Sequence, residues 1–244
     1  MRKIFFFVLA CLAVINFASE EIDALFSQAR SDRDSEKMSQ IIQTLESRSD
    51  LNENSTLLTI LADCYLEYGD WGVAKELKEK TLEQARKYAE AAVKLDNQNG
   101  RAHYIAGAAI GRLAQYKGII QSLFMLGDFD KYINKAISLL NENDEKERLY
   151  KTFALIASGM RYRDVPWPMN DYKKSEQLLF QAAELTPNYS NIYLELGLLY
   201  LKTKNKEKAK EMFQKVIEME PHPLLVAAHS QAIKTAQEEL GKMK

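Results

Sequence analysis

The chain has 244 residues, 46% of them apolar and 27% charged, the proportions of a globular protein that buries a core. Its 33 basic and 34 acidic side chains give a net charge of −1, and removing residues 1–18, which hold Arg2 and Lys3, leaves 31 against 34. That balance lacks the basic footprint of a nucleic-acid binder, and two cysteines with three scattered histidines argue against a Cys/His metal site. All five prolines fall after residue 165, so nothing earlier need interrupt a long helix.

Residues 1–18, MRKIFFFVLACLAVINFA, begin with Arg2-Lys3, run apolar from Ile4 to Ile15 and reach small residues at Ala18-Ser19. This is the layout of a secretory signal peptide, too short for a comfortable membrane span, with cleavage expected after Ala18. It predicts an exported chain, periplasmic or associated with the cell envelope. Val8-Leu9-Ala10-Cys11 also has the outline of a lipoprotein signal. Lipidation of Cys11 is the lesser reading, because the run stays apolar beyond it, and membrane attachment is expected only in that case. Cys64 is expected as a small buried apolar residue.

The mature chain, 19–244, then reads as a series of helical pairs. The stretch 22–50 carries Ile22, Phe26, Ala29, Met38, Ile42 and Leu45 at helical spacing, a loose first copy. Residues 55–97 offer Leu58, Leu61-Ala62 and Tyr65 on one helix, then a Tyr68-Gly69-Asp70 turn and a second helix from about Trp71 to Leu95. Residues 100–141 give His103, Ala106-Gly107 and Ile110, then Phe129, Ile133 and Ala136, with ten extra residues between the halves in QYKGIIQSLFMLGD. Residues 149–187 give Gly159 and Tyr162, then Ser175, Leu179, Ala182 and Pro187, stretched around Asp164–Pro168.

The last unit, 190–221, fixes the register. From Ser190, Tyr193 falls at position four, Leu196-Gly197 at seven and eight, Tyr200 at eleven, Ala209 at twenty, Phe213 at twenty-four and Pro221 at thirty-two. Small residues lie where paired helices approach, aromatics fill the space between them, and proline stops the second helix. This is the tetratricopeptide pattern. The expected fold is an all-α tetratricopeptide-type α-solenoid of about four to five helix hairpins with extended inserts. A capping helix over 223–242 would cover the last apolar face.

Two further resemblances follow. Residues 102–141, with an Ala-His start, Tyr-x-Gly-Ile turn and Lys-Ala-Ile-x-Leu helix, resemble the regulator-of-microtubule-dynamics family, as does the Pro166-Trp167 step before Tyr172–Phe180. Microtubule association is not expected of an exported chain. In leader, length and repeat number the chain also resembles tetratricopeptide proteins associated with tripartite ATP-independent periplasmic (TRAP) transporters. That likeness implies docking to a periplasmic solute-binding protein and a ligand cavity.

No Gly-x-Gly-x-x-Gly run, nucleophile elbow or His-Glu-x-x-His helix occurs, so no cofactor and no catalysis are expected. His103 reads as a core residue, and His222 and His229 as surface residues. In a tetratricopeptide stack, positions two, five, nine and twelve of each first helix face the concave side. Read off with nearby cations and the Pro-Trp turn, the candidate groove is Arg101, Tyr104, Ala108, Arg112, Phe153, Ile156, Met160, Arg163, Trp167, Asn191, Leu194 and Leu198.

This set is apolar toward its C-terminal half and dotted with arginines, which suits a small apolar or organic-acid ligand. Against it stands the reading that the inserts Gly118–Gly127 and Asp164–Pro168 and the cap fold in and fill the space. The sequence weighs self-filling above an open pocket, and Trp167 as a packing plug above a groove wall. The functional expectation is an exported, non-catalytic scaffold for a protein partner, an accessory to a periplasmic solute-binding protein in its sharper form. The alternative is an envelope-assembly factor that grips an extended peptide without a small-molecule cavity.

Overall fold

The computed structural model describes residues 19–117 and 119–243. The leader and Cys11 lie outside the described residues. Among those described, all regular structure is helical. Helix α1 covers residues 19–32, followed by α2 (Ser35–Glu46), α3 (Ser55–Glu67), α4 (Lys75–Leu95), α5 (Gly100–Ala114), α6 (Ile119–Leu139), α7 (Glu145–Asp164), α8 (Tyr172–Leu185), α9 (Ser190–Lys202), α10 (Lys206–Glu218) and α11 (Val226–Lys242).

Short polar side chains set most of the starts. Asp34, Asn54, Asn99, Asp144, Asp171 and Asn205 each accept a hydrogen bond from the backbone N–H three residues on, capping α2, α3, α5, α7, α8 and α10. Each such cap contributes about 1 kcal/mol by satisfying a donor the helix cannot. The second helix of the 55–97 unit starts at Lys75, later than the sequence suggests. Trp71 lies instead in a π-helical turn, Tyr68–Gly72, where its indole N–H donates to Glu67.

The pairs α3–α4, α5–α6, α7–α8 and α9–α10 pack as antiparallel hairpins, and α3, α5, α7 and α9 line up side by side. This is a tetratricopeptide-type solenoid. Its close approaches are set by small residues: a Cβ at Gly197 would drive into the Phe213 ring, which is itself fully buried. Tyr193, Leu196, Tyr200, Ala209, Phe213 and Val216 form the C-terminal core with α11 residues Ala232 and Ala236. Helix α10 ends at Glu218, ahead of Pro221. The cap helix begins at Val226, three residues beyond Pro223, and it buries His229, which the sequence had suggested lies at the surface. His103 is buried as expected, its Nε2 3.1 Å from the Asn97 carbonyl, and so is Cys64.

Helix α1 reaches further than a first repeat helix would. Its apolar side, Phe26 and Ala29, packs with Met38 and Ile41 of α2 and Leu57 and Leu61 of α3. Its polar side crosses to α5 and α7. Asp23 pairs with Arg101 (2.7 Å) and Lys146, and Arg30 donates to the Tyr150 hydroxyl (3.2 Å). At its end the Ser31 hydroxyl donates to the Pro223 carbonyl (3.3 Å), so the first helix touches the segment leading into the last.

Candidate functional site

The inward faces of α3, α5, α7 and α9 build two different environments. At the N-terminal end the concave side is occupied by α1 and is polar. Arg101 bridges Asp23 and Asp63, the latter at 2.8 Å, and the Tyr150 hydroxyl donates to Asp63 (2.5 Å). The Arg101 guanidinium also lies 4.7 Å from the centre of the Tyr150 ring and 5.3 Å from that of Phe26. Burial works against the charge on Asp23, but Arg101 and Lys146 outweigh it and hold its carboxyl below the ordinary value. Burial pushes the Tyr150 phenol well above its ordinary range, so it stays a proton donor to Asp63. Asp23, Asp63, Arg101 and Lys146 are thus paired with one another, while the buried Arg30 has the Tyr150 hydroxyl as its bonded neighbour.

Beyond that cluster the hollow opens into a cavity of about 420 Å³ between α5, α6 and α7. Such a volume falls within the span of small-molecule sites. Its floor is Tyr104, Ala108, Phe153, Ile156 and Met160, its far end Tyr189 and Asn191, and its rim Arg112, Asp164, Val165 and Pro166. The rings of Tyr104 and Tyr189 flank Phe153 at 5.8 and 5.5 Å between centres.

The insert before Phe129 does not fill this space. Residues Ser122, Leu123, Met125 and Leu126 extend α6 at its N-terminal end and form one wall of the cavity. They leave Ile120 and Phe124 on the outer side, 74% and 83% exposed. Asp164, Val165 and Pro166 likewise edge the mouth without closing it.

Of the groove residues read from the sequence, Tyr104, Ala108, Arg112, Phe153, Ile156, Met160 and Asn191 line the cavity together. Arg101 lies apart in the α1 cluster. Arg163 is buried beneath the floor, fixed by Asp164 (2.7 Å) and Glu195. Leu194 and Leu198 belong to the C-terminal core. Trp167 is neither plug nor wall: it stands 85% exposed, because the turn that carries it projects from the end of α7.

Counted against the standard repeat length, the α6 wall reads as an insertion between helices. The signal was present, since Met125, Leu126 and Ser122 continue the period of Phe129 and Ile133 upstream. Among the described residues no His/Cys/Asp/Glu group is arranged to hold a metal ion, and no helix is long and apolar enough to cross a membrane.

Two family models match the chain. The model of the regulator of microtubule dynamics protein 1-3 family matches residues 18–153, more than half of the chain. The protein belongs to that family. In this family member a tetratricopeptide repeat model matches residues 190–223, the unit whose spacing set the register. A solved structure described as "YrrB: a TPR protein with an unusual peptide-binding site" is similar at a TM-score of 0.40 and 23% identity, over 84% of this chain and 97% of that one. No curated protein matches the chain at a significant level.

Proposed function

We propose that this family member is an exported, non-catalytic docking scaffold that binds a protein partner at the cell envelope and holds a small, mainly apolar ligand in its concave face. Repeat folds of this kind work by contact, offering a curved surface built from rigid helix pairs. The observation that carries the ligand half is the cavity of about 420 Å³, which is walled by α6 and not filled by it. The export half rests on the Arg2-Lys3 start and the Ile4–Ile15 run. The sharper form of the partner half is an accessory role to a periplasmic solute-binding protein of a TRAP-type transporter. Regulation of microtubule dynamics, named in the family description, is not carried over to this chain.

The alternative, an envelope-assembly factor gripping an extended peptide, finds less support. A peptide running along the whole concave side would have to displace α1, which buries Phe26 and Asp23 there. Native mass spectrometry of freshly purified protein separates the two readings. A co-purifying small mass supports the cavity; a bare protein that binds peptides supports the groove. Affinity capture from envelope extract tests the partner. Recovery of a solute-binding protein is the expected result, and recovery of chaperones alone counts against it.

A further inference from the structure

The chemistry of the cavity wall specifies more than size. Three charged side chains line it: Arg112, Arg161 and Asp164. Each is already paired. Arg112 holds Asp70 of the π-helical turn, and Arg161 holds Asp130 of α6 at 2.7 Å. Asp164 takes Arg163 through two hydrogen bonds, at 2.9 and 2.7 Å, with Lys202 at 3.9 Å and Glu195 on the far side of Arg163. Those eight groups are four of each sign. The next charges toward α1 are Glu67 and Asp63 against Arg30 and Arg101, again equal in number. The wall therefore carries strong local dipoles and no net charge. A ligand ion entering it must either stay uncompensated, which is costly against the buried part of the wall, or open an existing pair, of which the rim pair Arg112–Asp70 is the more exposed.

The uncharged polar groups tell the other half. Tyr104 and Tyr189 both pack on the Phe153 ring and line the cavity, and neither hydroxyl bonds to another described residue. Burial raises both phenols far above neutrality, so each stays protonated and can donate as well as accept. The Asn191 amide and Gln115 face the same space. Apart from Ser122, the rest of the wall is hydrocarbon, thioether and aromatic ring, led by Leu123, Met125, Leu126, Phe129, Ile156 and Met160.

We propose that the cavity selects an uncharged molecule with an apolar body and one hydrogen-bonding head, a hydroxyl, carbonyl or amide, seated at Tyr104, Tyr189 and Asn191. This replaces the organic acid suggested by the scattered arginines in the sequence. It rests on the reading of the cavity as a ligand site, and the test below separates the two.

Two fluorescent probes share one skeleton: N-phenyl-1-naphthylamine is neutral, and 8-anilino-1-naphthalenesulfonate carries a sulfonate. The full chain is titrated with each. The neutral probe is expected to bind at least about tenfold more tightly, since desolvating an unpaired anion exceeds the equivalent of tenfold. Asp70→Asn removes the partner of Arg112, and it is expected to raise sulfonate affinity by about threefold to fivefold while leaving the neutral probe within about twofold. Filling the cavity with Ile156→Trp, or with Ala108→Leu should the larger change unfold the chain, must abolish binding of the neutral probe.

Equal or tighter binding of the sulfonate by the unaltered protein overturns the charge argument while the cavity stands. So does an Asp70→Asn variant that gains nothing. Neutral-probe binding that survives both filling variants, or no binding of either probe, overturns the cavity reading and this inference with it.

Discussion

Asp23 and Arg101, 78 residues apart, are joined by a 2.7 Å ion pair with both side chains largely withdrawn from solvent. The pair ties α1 across the inward faces of α3, α5 and α7. Its carboxylate also holds Lys146, and its guanidinium also holds Asp63. A first helix packed only on its sequence neighbours would need none of this.

The pair makes stability depend on acid. The folded pKa of Asp23 is held below its ordinary value of 3.8, so its contribution is fully present above that value and is lost as pH falls through the folded one. Asp23→Asn is expected to cost about 2–3 kcal/mol at neutral pH, because Arg101 stays buried with one partner fewer. The variant's urea midpoint should also fall less than the wild type's between pH 5 and strongly acidic conditions. Parallel acid profiles for the two proteins would show that Asp23 does not carry this effect.

Among the described residues, the non-glycines Arg33 and Lys204 have positive φ (51° and 61°), at the equivalent turns between α1 and α2 and between α9 and α10. Side chains in this region cost roughly 1–2 kcal/mol, and glycine escapes the penalty while losing more chain entropy. Lys204→Gly should therefore stabilise the protein by up to about 1 kcal/mol, read as a higher thermal midpoint with unchanged helix content.

The same substitution at two glycines should act in opposite directions. Gly197→Ala forces a methyl into Phe213 and should cost about 1–3 kcal/mol. Gly127 has no neighbour within 4 Å of an added Cβ and lies inside α6, so Gly127→Ala should stabilise by about 0.5–1 kcal/mol. Denaturant titration of both variants checks the pair, and loss of stability in both would contradict the placement of α6.

Trp167 offers a direct check on the α7–α8 turn. At 85% exposure it contributes no core packing, so Trp167→Ala should change stability by less than about 0.5 kcal/mol. In the wild type its fluorescence should be quenched readily by acrylamide, whereas Trp71, half-buried and bonded to Glu67, should resist.

Much of the fold could be read from residue order. The Tyr193, Gly197, Tyr200, Ala209 and Phe213 spacing is local, since each residue meets a partner within its own hairpin. The Asp and Asn caps are local too, each acting within three residues of itself. Inward positions such as Tyr104, Phe153, Ile156 and Met160 follow from the same register, and they do line the cavity. Trp167 did not follow, because a proline-bracketed turn has no periodic face from which its direction can be inferred. Arg101 and Arg163 went wrong for another reason. An arginine at an inward position looks free until its partners are known: Asp23 and Glu195 come from other units, and the adjacent Asp164 gives no sign in the sequence that it turns onto Arg163.

Sequence alone determined that this chain is a row of helix pairs, where each pair ends and which faces turn inward, because those properties depend on neighbours three to thirty residues away. Tertiary structure decided that α1 lies across the concave side, that the start of α6 walls a hollow instead of filling it, and that every charge on that wall is already matched. These depend on which side chains meet after the units have stacked. Charge compensation and enclosed volume are properties of that meeting, and no spacing along the chain encodes them.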